Sequence, residues 1–170
     1  MEKGFTLIEL LISVFIISIL IVTTVIYLNY ARQDARDSRR KNDLDKIKSA
    51  LDLYFNQNEV YPWGSVAGAA TLRSDAASWS TTAVLTTAVA PYLSPLPKDP
   101  LNKLSGTFPY FYFYQVQSPN LDGFILSATL ENPKTDDPNY KIWPATSTPQ
   151  YNYILRGGTC SQGTCPILSL

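Results

Sequence analysis

Histidine is absent from this chain of 170 residues. That lack removes Ser–His and Cys–His nucleophile pairs and the commonest zinc ligand at once. Serine with lysine, or paired carboxylates, remain as catalytic arrangements, yet the chain contains no phosphate-cradling glycine loop and no nucleophile elbow. It does not read as an enzyme, and it implies no cofactor. An excess of one charge is missing too. The 14 basic and 14 acidic residues cancel, and no block of like charge is long enough to act as a nucleic-acid tail. Nucleic acid is therefore not an expected partner on bulk electrostatics. Cysteine occurs only as Cys160 and Cys165, and two sulfurs without a histidine do not complete a metal site.

What the chain does have is an apolar stretch from Phe5 to Leu28, interrupted by one ionisable residue, Glu9. At 1.5 Å per residue this stretch reaches roughly 36 Å as a helix, against a hydrocarbon core of about 30 Å, so it is long enough to span a bilayer with some tilt. A cleaved secretory signal would carry a shorter apolar region ending in small residues, which Ile21-Val22-Thr23-Thr24-Val25-Ile26 does not provide. A carboxylate in such a segment costs about 2.5–3.5 kcal/mol at the bilayer centre and less near the interface, so Glu9 calls for a cationic partner.

The run Lys3-Gly4-Phe5-Thr6-Leu7-Ile8-Glu9, followed by the apolar stretch, resembles the leader and N-terminus of type IV pilins and the related pseudopilins of secretion systems. The resemblance implies cleavage between Gly4 and Phe5 by a prepilin peptidase and N-methylation of Phe5. The chain would then divide into a leader over residues 1–4, a transmembrane and filament-core helix over 5–28, and an exported head over 29–170. Cleavage creates an α-amino group on Phe5, protonated at neutral pH, one helical turn from Glu9. A helix N-terminus also favours a nearby carboxylate. The expected assembly contact is Glu9 of one subunit with the Phe5 amine of its neighbour, a charge-assisted bond that sets filament register. An intrachain Phe5–Glu9 salt bridge is the alternative. The implied partners are other copies of the chain, the peptidase, the assembly machinery of the inner membrane, and lipid before assembly. A pseudopilin of a type II secretion system and an uncleaved, non-polymerising surface binding protein are the rival readings.

Beyond the span, Asn29 to Asp43 contains neither proline nor glycine, so the helix should continue. Leu44, Ile47, Leu51 and Tyr54 then recur at intervals of three and four, an apolar stripe fit to cover a sheet. Pro62 and the Asn56-Gln57-Asn58 run stop the helix near Asn58, at a length of roughly 80 Å from Phe5. The following Tyr61-Pro62 resembles the dipeptide that closes this helix in pseudopilins. Family members often carry proline late in the apolar stretch, whereas Thr23 to Leu28 has none, and Ser18 stands where glycine is common.

Arg32, Arg36, Arg39, Arg40 and Lys41 are interleaved with Asp34, Asp37 and Asp43 and read as a solvated helix face, with a lipid or interface contact as alternative. This basic run, with only Lys3 before the span, would by the positive-inside tendency leave the head in the cytoplasm. The resemblance implies export, and the tendency is weakest for long translocated domains.

The fold class implied is α+β, with the long helix packed on a small antiparallel sheet. Residues 64–80 read as a surface connection. A short helix, capped by Thr82 and placing Leu85 and Val89 on one face, ends before Pro91. Pro95-Leu96-Pro97-Lys98-Asp99-Pro100 excludes helix and central strand, resembles a loop leading into the pseudopilin sheet, and makes Asp99 a turn residue. Tyr110–Val116 and Gly123–Glu131 form an expected hairpin, with Tyr151–Leu155 as a further strand and the proline-rich stretch from Asn132 to Gln150 as an excursion between them. Alternation places one set of aromatic rings on the helix and the other, with outward tyrosines, away from it. Asp136, Asp137 and Asn139 read as an Asp-rich turn, with calcium binding as the lesser alternative. An even cysteine count in an exported domain, together with the resemblance to the C-terminal loop of many pilins, implies a Cys160–Cys165 disulfide.

Overall fold

The computed structural model describes residues 4–62, 71–74, 79, 84–103, 108–116, 122–143 and 150–158. A single helix, α1, runs from Leu7 to Asn58. It enters two compact units, Met1–Arg36 and Asp37–Leu170. The first consists, among its described residues, of the apolar helix and the three residues before it.

In the second unit the sheet contains, among the described residues, β1 (Thr71–Arg73), β2 (Phe113–Val116), β3 (Gly123–Ala128), β4 (Tyr140–Trp143) and β5 (Tyr151–Gly158). All pairs are antiparallel, in the spatial order β1-β2-β3-β5-β4. A short helix, α2 (Val84–Val89), buries Leu85 and Val89 as expected. The architecture is the α+β arrangement that the resemblance implies.

The apolar stripe of α1 does cover the sheet. Leu44, Ile47, Ala50 and Leu51 are buried against Tyr112, Tyr114, Phe124 and Leu126, while Tyr54 is only half-buried. Sheet and helix faces of this kind bury apolar area at about 25 cal/mol per Å², so the stripe dominates the adhesion of this part of α1. The helix stops at Asn58, where Glu59 turns to φ 61° and donates its N–H to the Phe55 carbonyl at 2.7 Å. Tyr61 then folds back: its ring stacks on Phe55 at 4.6 Å and meets the edge of Phe124, and its hydroxyl donates to Asp52 at 3.1 Å. Pro62 offers its carbonyl to the Tyr114 hydroxyl at 3.0 Å. Close approach here requires glycine across the sheet, because a Cβ on Gly157 would collide with the Phe124 ring and Gly158 adopts φ 59°.

Two strands lie where connections were expected. Thr71–Arg73 pairs with Phe113–Gln115 inside the stretch read as a surface loop, and Tyr140–Trp143 pairs with β5 inside the proline-rich excursion. Both are sheet edges of three or four residues, too short to show a period of two. The first ordered strand of the hairpin begins at Phe113, not Tyr110, which forms an isolated bridge with Lys103 instead.

The aromatic alternation exists with the residue types exchanged. Tyr112 and Tyr114 point at the helix, and Phe111 and Phe113 point away from it. No tyrosine of this strand is outward, because each hydroxyl needs a partner when buried and finds one on the helix side: Tyr112 donates to Asp43 at 2.9 Å, Tyr114 to Pro62. Phe111 and Phe113 are themselves buried, in a second cluster with Ile125, Tyr151 and Ile154, and the Arg73 guanidinium lies over the Phe111 ring.

The expectation of a solvated charged face fails at its centre. Arg40 is fully buried, with Asp37 and Asp43 nearly so. Its Nη1 donates to Asp37 at 2.7 Å and to Glu131 at 2.9 Å, while Nε and Nη2 form a fork on Asp99 at 2.7 and 3.2 Å. Burial alone would lower the guanidinium pKa; the bonds and charge of Asp99, joined by Glu131 and Asp37, more than reverse this and hold it above its ordinary value. Asp99 is the turn residue expected, accepting the N–H groups of Leu101 and Asn102, and is also the Arg40 partner. Asp37 likewise accepts the N–H groups of Glu131 and Asn132. One guanidinium thus ties α1 to two loops. Nearby, Trp79 donates to the Pro97 carbonyl at 2.9 Å, satisfying a loop whose prolines supply no donors.

Candidate functional site

The N-terminal segment is built by local rules. Thr6 is the N-cap of α1 and Glu9 its N3 residue, and the two answer each other: the Thr6 hydroxyl accepts the Glu9 N–H at 3.4 Å, while Glu9 Oε2 receives the Thr6 N–H at 3.5 Å and the Thr6 hydroxyl at 3.4 Å. This is a capping box, and Thr6-Leu7-Ile8-Glu9 spells its T-x-x-E pattern. Sequence reasoning assigned Glu9 to the Phe5 amine and overlooked this pattern, although it was legible. With Phe5 N in a peptide bond, Glu9 turns to Thr6.

Gly4 precedes the helix, and a Cβ there would meet nothing within 4 Å. The fold of this chain does not require glycine at that position. Phe5 is 83% exposed. Every described residue from Gly4 to Arg32 is exposed, and α1 includes a segment, none of it buried, that is long and apolar enough to cross a membrane.

The serine and threonine hydroxyls of this stretch bond within their own helix. Ser13 donates to the Glu9 carbonyl at 2.8 Å, Ser18 to Val14 at 2.7 Å, Thr23 to Leu20 at 2.9 Å and Thr24 to Leu20 at 2.7 Å. Back-bonding of this kind removes the cost of an unpaired hydroxyl in an apolar medium. The helix and its motif fit a membrane-anchored precursor.

The other residues singled out in the sequence lie elsewhere. Cys160 and Cys165 fall outside the described residues, as do Thr82 and residues 117–121 between the hairpin strands. Asp137 forms the turn expected of it, accepting the Asn139 N–H at 2.9 Å, and its carboxylate also takes the Lys41 ammonium. That ammonium, helped by the Asn139 N–H, holds the Asp137 carboxyl below its ordinary range. Among the described residues no three carboxylate, histidine or cysteine side chains gather as a metal-binding group.

Comparison of the whole chain with curated proteins and with solved structures yields no match. Over residues 1–25 the chain matches the family model of the prokaryotic N-terminal methylation motif, the hallmark of type IV pilin and pseudopilin precursors.

Proposed function

We propose that this chain is a structural subunit of a type IV pilus-like filament. Its leader, residues 1–4, is removed between Gly4 and Phe5 by a prepilin peptidase, Phe5 is N-methylated, and residues 5–28 anchor the precursor in the inner membrane before forming the filament core. Residues 29–170 form the exported head. The observation that carries this reading is the exposed apolar helix whose one ionisable group, Glu9, stands a turn from the motif's cleavage point. In assembly Glu9 accepts the Phe5 amine of an adjoining subunit, a charge-assisted bond in a low dielectric.

The test is mass analysis of membrane-extracted and filament-associated chain, alongside Glu9→Gln. A chain starting at methylated Phe5, with Glu9→Gln processed normally but left out of filaments, is the expected result. An intact Met1, or normal incorporation of the variant, would overturn it.

A pseudopilin of a type II secretion system is the second reading. It is favoured by Tyr61-Pro62 and by the Pro95–Pro100 loop, which resemble pseudopilin sequences and here close α1 and supply Asp99 to Arg40. Long surface filaments point to the pilus; their absence, with loss of protein export on deletion, points to the secretion apparatus. A Cys160–Cys165 bond pinning the tail accompanies either reading, checked by a mass change on reduction and alkylation.

A further inference from the structure

In the second unit, at the edge of the sheet, a recess of about 340 Å³ is lined by Lys48, Pro138, Asn139, Lys141, Ile154 and Arg156, with Leu155 behind them. We propose that it binds the dianionic phosphate group of a small molecule.

Three basic residues line it, one from each of three elements: Lys48 from α1, Lys141 from β4 and Arg156 from β5. Lys48 is partly engaged by Asp52 at 3.2 Å. Lys141 and Arg156 have no ion-pair partner among the described residues, and Arg156 Nε is buried without a hydrogen bond. Asp137, beside Pro138, is taken by Lys41. Three cations against the one carboxylate of Asp52 leave two positive charges, which match a phosphate monoester of roughly −1.5 to −2 at neutral pH better than a carboxylate or a phosphodiester.

The backbone adds a donor. Ile154 gives its N–H to the Asn139 carbonyl at 3.0 Å, and the pairing of β4 with β5 reaches only to Tyr140 and Tyr153. Two residues on, the Arg156 N–H points to the same side of β5, where no described strand continues. A planar guanidinium and two ammonium groups beside an open sheet edge suit an oxyanion, and arginine engages phosphate in fork geometry. Pro138, Ile154 and Leu155 supply apolar surface for the carbon part of the ligand. The volume lies at the lower end of the range for small-molecule sites, suited to a sugar or polyol phosphate. Among the described residues no aromatic ring lines the recess to stack bases, which argues against a single-stranded nucleic acid.

The experiment uses the full chain in detergent micelles at constant ionic strength, with glycerol 3-phosphate, inorganic phosphate and the monoanion dimethyl phosphate as probes. Titration calorimetry should show saturable binding of the first two, and the melting temperature should rise by about 3 °C near saturation. Dimethyl phosphate should bind at least about tenfold more weakly. Lys141→Gln, at an exposed position, should weaken glycerol 3-phosphate severalfold, and Lys141→Gln with Arg156→Gln should abolish binding without changing the melting temperature in chloride. The charge-matched control, Lys98→Gln with Lys103→Gln, should bind like the parent. No saturable binding, equal losses in the two double variants, or dimethyl phosphate binding as well as the monoester would each overturn the proposal.

Discussion

Along one uninterrupted helix, Leu20 and Ile21 stand about 59% and 58% exposed, whereas Arg40 is completely enclosed. The usual arrangement is reversed between the two stretches, with apolar side chains uncovered in Leu7–Leu28 and Asp37, Arg40 and Asp43 sealed in the second. Hydrophobicity alone does not decide burial; available partners do. The first stretch carries almost no polar complement of its own, so its surface is matched only by lipid or by other helices of the same character. The second meets a sheet, and beside its apolar stripe it carries one cation whose three nitrogens each donate to a carboxylate. Such a buried network contributes less to net stability than its geometry implies, yet losing one member leaves the others stranded.

That contrast can be broken by substitution. Arg40→Met leaves Asp37, Asp99 and Glu131 without their shared cation, and should cost about 3–5 kcal/mol in denaturant titration of the detergent-solubilised chain. A neutral result would show the network to be passive. Ile47→Ala should cost about 2–5 kcal/mol, while Ile17→Ala in the exposed stretch should stay within about 0.5 kcal/mol in the same assay. Equal losses at the two positions would erase the distinction between covered and uncovered stretches.

Proton linkage sharpens it at both ends of the pH scale. Burial first, and for Tyr112 the neighbouring Asp43 next, raise the hydroxyl pKa values of Tyr112 and Tyr114 above the ordinary value of 10. Below that pH both folded and unfolded chains keep these protons. Above it the unfolded chain releases them first, so stability falls as pH rises. Tyrosinate absorbance from these two rings should appear only together with loss of the circular dichroism of the head, and earlier ionisation would contradict their enclosure. The smallest effect is acidic. Asp137, lowered mainly by Lys41, contributes stability above the ordinary carboxylate range and loses it as pH falls through its depressed value. Asp137→Asn should remove that part of the acid limb, at most about 1 kcal/mol, in pH-dependent melting.

The long helix was legible in the sequence almost to the residue, from its apolar length, its lack of breakers through Asp43 and the poor formers at Asn56–Asn58. Leu44, Ile47 and Leu51 announced the covered face by spacing. The Arg40 network was not legible: its partners lie 59 and 91 residues away at Asp99 and Glu131, and helical spacing offers Arg40 only Asp37 and Asp43 of its own helix. Edge strands β1 and β4 escaped for a related reason, since pairing with distant chain and not their own pattern makes them strands. At the N-terminal site the methylation motif was plain, and the reciprocal cap of Thr6 and Glu9 was also written in the sequence, though a lone carboxylate in an apolar segment points first to a cation and only then to its own helix start.

Ser13, Ser18, Thr23 and Thr24 each turn their hydroxyl onto the carbonyl of a preceding residue. A rod that keeps its polar atoms occupied internally looks the same to hydrocarbon tails as to a sister rod. In the proposed assembly it would pass from one surrounding to the other without exchanging a serine or threonine partner, so that shape and the one carboxylate are left to choose its neighbours.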